Sequence, residues 1–251
     1  MKLNLKAYIA EAIGTFALVF FACGVAFLTK ANVFMTAFAF GLVIVVMSTV
    51  IGKISGCHIN PAVSFACFMT KRMSLRDFVG YVIAQIIGGI LGGIILFAVL
   101  KIGKDYGVGA FINTISNRAI TNHLDAGPIF GSLILEVILT FVFVYVILHV
   151  TDDRNGFAKA AGVIIAATLV LVHLIGIQLT GTSVNPARSI GAAFAELFFG
   201  EDTDALEHVW IFIIAPMGGA ALAAVVYNLV NKPKAVEEQP KEDAAEEKAA
   251  E

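Results

Sequence analysis

A chain of 251 residues that is 59% hydrophobic and 14% charged does not have the composition of a soluble domain, in which about a quarter of the residues are charged. Its net charge of −2 arises at one end, because residues 232–251 carry four Lys against seven Asp or Glu. The remainder is near neutral and holds no basic block, which argues against nucleic acid as a partner. Three cysteines (Cys23, Cys57, Cys67) show neither CxxC nor zinc spacing, and an odd, scattered set is not a disulfide framework. The composition is that of an integral membrane protein.

In chain order, the first apolar run covers about residues 7–28. Lys2 and Lys6 precede it, but it is too long for a signal-peptide core and contains Glu11, so it reads as a retained spanning helix. A second run covers 33–52, and a shorter one 60–70. A third long run covers 77–100. Residues 101–127 are polar and contain Gly and Asn, which predicts an extracellular loop. Long runs at 129–150, 160–179 and 208–231 follow, with a second short one at 185–198. Residues 232–251 lack aromatics and read as a disordered cytoplasmic tail.

No run alternates as a barrel strand does. The fold class is therefore all-α membrane protein, with six transmembrane helices. The two short runs correspond to roughly 16–21 Å of helix, about half of a bilayer core, as in a re-entrant half-helix. With the N-terminus inside, inside segments hold twelve Lys or Arg and outside segments five. That bias predicts cytoplasmic N- and C-termini in the cell membrane.

The chain also repeats itself. Glu11, Thr15 and Phe16 recur as Glu136, Thr140 and Phe141, and Asn60-Pro61-Ala62 recurs as Asn185-Pro186-Ala187, all at an offset of 125. Gly56 and Gly181 obey the same offset, as do Ser55 and Thr180. Each half, about 7–100 and 129–231, has three spans. An odd number places the halves in opposite orientations, an inverted repeat within one domain, residues 1–231. Asn is a favoured helix N-cap and Pro a favoured first helical residue. Asn60 and Asn185 thus begin half-helices whose N-termini meet near the midplane. Irregular backbone at that depth must line a cavity or be buried in protein. The segments Gly56, Cys57, His58, Ile59 and Gly181, Thr182, Ser183, Val184 are therefore predicted to line a pore. Capping occupies each Asn amide oxygen and leaves both NH₂ groups facing the lumen.

With SGCHINPAV and TGTSVNPARS, the sequence resembles the aquaporin family, or major intrinsic proteins, over about residues 7–230. It is most similar to the bacterial water-selective branch. The resemblance implies a homotetramer with one pore per protomer. It also implies an extracellular filter of Phe40, His173, Thr182 and Arg188. Glycerol facilitators typically replace that Phe and His by Trp and a small residue, and follow the Arg with Asp; here Ser189 follows Arg188. One departure is Phe212-Ile213, where the water branch often has an aromatic pair. The implied function is passive single-file water conduction with membrane lipid as surroundings, the alternative being a glycerol or small neutral solute facilitator.

Glu11 and Glu136 are intramembrane carboxylates, which could couple protons; their repeat symmetry favours support of the loops. The chain has no HExxH or GxSxG motif and no implied cofactor or metal, so an enzyme is not expected. His58 is read as facing the inner vestibule or packing. Cys57, three residues before Asn60, is expected at the lumen, whereas Cys23 and Cys67 are expected to be buried. The Gly88-Gly89 and Gly92-Gly93 pairs are read as close helix-packing sites.

Overall fold

The computed structural model describes residues 4–102, 126–157, 159–199 and 204–231. Most of the expected extracellular loop and the expected tail at 232–251 lie outside these. Among the described residues, six helices are long and apolar enough to cross a membrane: Leu5–Leu28, Val33–Ser55, Leu75–Leu100, Ile129–Val150, Ala161–Thr180 and Ala205–Val230. Two short helices, Pro61–Met69 and Pro186–Phe199, are the half-helices.

Local chemistry sets the boundaries. Asn32 caps the second span, accepting from the Met35 N–H at 3.0 Å. The second and fifth spans end at Gly56 and Gly181, both left-handed with φ of +85° and +74°, a conformation that costs glycine little. Each half-helix starts on its Asn: the Oδ1 atoms of Asn60 and Asn185 accept from the N–H groups of Ala62 and Ala187 at 2.9 and 3.1 Å.

The halves are interlocked. The first half-helix packs on the sixth span and the second on the third, so each is held by the other half of the chain. At the second crossing, a Cβ on Gly89 or Gly93 would collide with the backbone carbonyls of Ala187 and Gly191; small residues let the helices touch. The outer surface is apolar, with Phe34 66% and Val163 63% exposed, a belt that lipid tails solvate and water would not.

One element departs from the expected pattern. The first span is not a continuous α-helix: Leu18–Cys23 forms a π-helical turn, whereas the equivalent stretch of the fourth span, 143–148, is α-helical.

At the face where the described chain begins and ends, a charged clasp joins three elements. Asp152, just after the fourth span, accepts from Arg154 Nη2 at 2.6 Å and Nε at 2.9 Å, and from the Tyr227 hydroxyl. Arg72, after the first half-helix, donates to the Leu148 carbonyl at 2.8 Å and to Tyr227 at 2.5 Å, with its guanidinium 4.8 Å from the Tyr227 ring. Hydrogen bonds from Arg154 and Tyr227 hold the Asp152 carboxyl well below the usual carboxylate range. A depressed pKa stabilises the fold above the unfolded value of about 4, and that contribution disappears as pH falls through the folded one. Asp152→Asn should therefore lower the melting temperature in detergent at neutral pH, by the equivalent of about 1–2 kcal/mol. The gap from wild type should stay constant between about pH 5 and 8 and narrow only below about pH 4.

Candidate functional site

Two irregular turns meet in the centre of the fold. Cys57 and Ile59 have φ of +53° and +42°, and Thr182 and Val184 have +52° and +44°. A left-handed β-branched residue is strained and persists only where its surroundings over-determine it. The buried carboxylates supply that constraint. Glu11 Oε1 accepts from Ser55 Oγ at 2.6 Å and His58 N at 2.9 Å; its Oε2 accepts from Ile59 N at 2.5 Å and Gln85 Nε2 at 2.7 Å. Glu136 Oε1 accepts from Thr180 Oγ1 at 2.7 Å and Ser183 N at 2.9 Å, and its Oε2 from Val184 N at 2.9 Å. Apart from Gln85, every partner obeys the offset of 125. Both glutamates are fully buried, and neither lines a described cavity.

The two Asn amides differ in part from the sequence expectation. Rather than leaving both NH₂ groups free, Asn60 Nδ2 donates to the Val184 carbonyl at 2.7 Å and Asn185 Nδ2 to the Ile59 carbonyl at 2.9 Å. Each half-helix is thereby tied to the other half's turn, and one amide hydrogen on each side is left over. Pro61 and Pro186 occupy the first helical positions, and Ala62 and Ala187 are fully buried.

A narrow compartment of about 20 Å³ runs through this centre, against the 10–15 Å³ that one water needs. Its walls come in repeat pairs, Leu18 with Phe143, Ile44 with Leu169, and Asn60 with Asn185. Phe40, His173 and Arg188 line it too. The Phe40 and His173 rings stack with centroids 4.3 Å apart, and the Arg188 guanidinium carbon lies 5.4 Å from the Phe40 ring centre. Arg188 Nη2 donates to the Gly181 carbonyl at 3.4 Å. His173 Nδ1 is 2.9 Å from the Leu169 carbonyl; a carbonyl only accepts, so the proton sits on Nδ1 and Nε2 of the neutral ring is an acceptor. Arg188 Nε and Nη1 and His173 Nε2 are buried without a hydrogen-bond partner. A polar molecule passing them would satisfy groups that are otherwise costly to bury. Thr182, placed at this site by the resemblance, does not line the compartment: its hydroxyl packs over Gly176 of the fifth span.

The other end is wide. A vestibule of about 770 Å³ is lined by Gly56, Cys57, Tyr81 and Lys159 among others, and His58 borders both spaces. The repeat counterparts of Phe40, His173 and Arg188 are Ile165, Ser48 and Val63, and all three line this vestibule. The same positions therefore carry bulk and charge at one mouth and small or aliphatic side chains at the other. Cys57 is partly exposed to the vestibule; Cys67 is buried but also borders it, and Cys23 is buried and borders neither space.

Sequence reasoning missed several participants. Gln85 bonds both Glu11 and Ser64 Oγ, the latter at 3.0 Å. Ser64 lies 3.1 Å from His58 Nδ1, and its counterpart Ser189 lies 2.6 Å from Ser183. The offset of 125 would have found the serine pair; Gln85 is signalled only as a lone amide in an apolar span. Among the described residues, no cluster of three His, Cys, Asp or Glu could hold a metal.

Comparison with known proteins agrees with this geometry. The family model described as major intrinsic protein matches residues 1–227. The chain is 40% identical over 220 residues, 88% of this chain and 95% of the relative, to glycerol uptake facilitator protein-like 6 of Lactiplantibacillus plantarum. It is 35% identical over 243 residues, 92% of this chain and 95% of the relative, to aquaporin Z of Bradyrhizobium diazoefficiens. Its fold resembles the X-ray structure of the aquaglyceroporin from Plasmodium falciparum, with a TM-score of 0.78 at 24% identity, over 91% of this chain and 97% of that one.

Glu11→Gln preserves shape but leaves one acceptor oxygen for the donors that now share two. Thermal unfolding in detergent should show a loss of about 1–3 kcal/mol. Gln85→Leu, which takes one donor from Glu11 and one from Ser64 but leaves the backbone amides their acceptors, should cost less.

Proposed function

We propose that this chain, which belongs to the major intrinsic protein family, is a passive channel selective for water. The observation that carries the reading is the compartment of about 20 Å³ in which Phe40, His173 and Arg188 converge. In this reading those three residues form the selectivity filter. Phe40 narrows the path from its apolar side. Arg188 donates and His173 accepts, replacing the hydration that a permeant sheds. Water is small enough to make both contacts in single file, and glycerol needs more width. The left-over amide hydrogens of Asn60 and Asn185 hold a permeant oxygen at the midplane. Cations meet the fixed charge of Arg188 and the positive ends of two half-helices.

Transport is downhill and needs neither cofactor nor covalent chemistry. Glu11 and Glu136 act as supports for the turns, not as proton carriers, because their oxygens are engaged by backbone and side-chain donors away from the path. The excess of basic residues in the segments assigned to the inside supports cytoplasmic termini in the cell membrane, and the family resemblance supports a homotetramer.

A second reading is a facilitator of glycerol or another small neutral solute. It is favoured by the 40% identity to a relative named as a glycerol uptake facilitator-like protein.

Stopped-flow light scattering on proteoliposomes separates the two. The expected result is fast osmotic water flux, little glycerol flux and no response to an imposed pH gradient. Glycerol flux matching that of an established facilitator, with little water flux, would reverse the assignment. Arg188→Val together with His173→Gly should widen the filter and raise glycerol flux severalfold. A mercurial should lower water flux by reaching Cys57 in the vestibule, and Cys57→Ser should remove that sensitivity; inhibition that persists in the serine variant would place the reactive thiol elsewhere.

A further inference from the structure

The narrow compartment and the vestibule meet at three side chains. Ile44 of the second span, His58 of the first turn and Phe143 of the fourth span line both spaces. Their repeat counterparts, Leu169, Ser183 and Leu18, line the compartment and not the vestibule. In two of these pairs the bulkier member stands at the vestibule end: an imidazole against a hydroxymethyl group, and a phenyl ring against an isobutyl group. The residues read as the filter stand elsewhere, since none of Phe40, His173 and Arg188 lines the vestibule. Phe40 and Ile44 both belong to the second span, and their spacing in sequence separates them by about 6 Å along the helix axis. Bulky side chains thus enter the lining at two levels.

The bulk at the vestibule end is held in place. His58 Nδ1 lies 3.1 Å from Ser64 Oγ, which accepts from Gln85 Nε2 at 3.0 Å. The Tyr81 ring meets the imidazole at an interplanar angle of 62°, with centroids 5.2 Å apart, and the Tyr81 hydroxyl donates to the Ser55 carbonyl at 2.7 Å. The positions 125 residues beyond Tyr81 and Gln85 hold Leu206 and Trp210, so the repeat does not carry this phenol and amide over to Ser183. Phe143 is 3% exposed and belongs to the main apolar core. An imidazole tied at one nitrogen and a phenyl ring packed in the core swing aside for a wide solute only by breaking those contacts. We propose that Ile44, His58 and Phe143 form a second size-selecting collar at the vestibule end of the narrow compartment, in which His58 and Phe143 set the width open to solutes larger than water. Two constrictions in series add their resistances, so such a solute meets a barrier at each. This inference rests on the reading of Phe40, His173 and Arg188 as the filter.

The test is glycerol flux into proteoliposomes, normalised to the amount of protein incorporated, for Phe143→Leu in two backgrounds. With the filter opened by Arg188→Val and His173→Gly, Phe143→Leu should raise glycerol flux by a further factor of about three or more. In the wild-type background the same substitution should change it by less than about twofold, because the filter still limits glycerol. His58→Ser, which keeps the backbone N–H for Glu11 and installs the counterpart residue, should reproduce both results. Should Phe143→Leu fail to reconstitute, Phe143→Met takes its place with the same expectations. No further gain from either position in the opened background would overturn the proposal, because the collar would then present no barrier. An equal factor in both backgrounds would also overturn it, by reducing the two residues to packing around a single barrier. Glycerol flux that the filter variant fails to raise, with or without Phe143→Leu, would instead overturn the filter reading, and this inference with it.

Discussion

A bilayer core offers no water, so every backbone N–H and C=O placed there needs a protein partner. The structure meets this constraint at its hardest point with two carboxylates. Glu11 and Glu136 take the amides of His58, Ile59, Ser183 and Val184. The turns can then run through left-handed backbone at β-branched residues without leaving donors unpaired. The carboxylates are matched in return: burying one is tolerable only because each oxygen has donors on it. Remove either side of this exchange and the half-helices lose their entry geometry, and with it the spacing of Asn60 and Asn185.

On that symmetric frame sits an asymmetric lining. Pairs related by the repeat, such as Leu18 with Phe143 and Ile44 with Leu169, line the narrow compartment. Positions where the halves differ decide its width. Phe40, His173 and Arg188 line the narrow compartment, and Ile165, Ser48 and Val63 line the wide vestibule. Inverted duplication thus supplies equivalent positions to both spaces, and side-chain volume makes one of them narrow, which the proposed function reads as the filter. The clasp of Arg72, Asp152, Arg154 and Tyr227 acts differently, tying the ends of the first half-helix, the fourth span and the sixth span around the wide mouth.

Much of this was legible beforehand because membrane helices announce themselves by length and apolarity, and because the offset of 125 is visible in the letters. The two NPA tripeptides marked the half-helix starts, since Asn and Pro have strong positional preferences there. The partners of the Asn amides were not legible. Capping accounts for the oxygen, but where the nitrogen points depends on a carbonyl about 125 residues away. The direction of the Thr182 side chain was not legible either: its left-handed backbone packs the hydroxyl over Gly176. Gln85 escaped notice because it has no repeat counterpart.

The sequence by itself determined the membrane class, the six spans, the two half-helices and their inverted relation, because these follow from apolar run length, parity and local capping. Only the tertiary structure decided which residues share the narrow compartment and which the vestibule, how the Asn amides cross-link the halves, and that the first span opens into a π-turn against the second half-helix. Those facts depend on contacts between segments far apart in the chain, where the outcome is set by packing volume and by which buried donor reaches which acceptor.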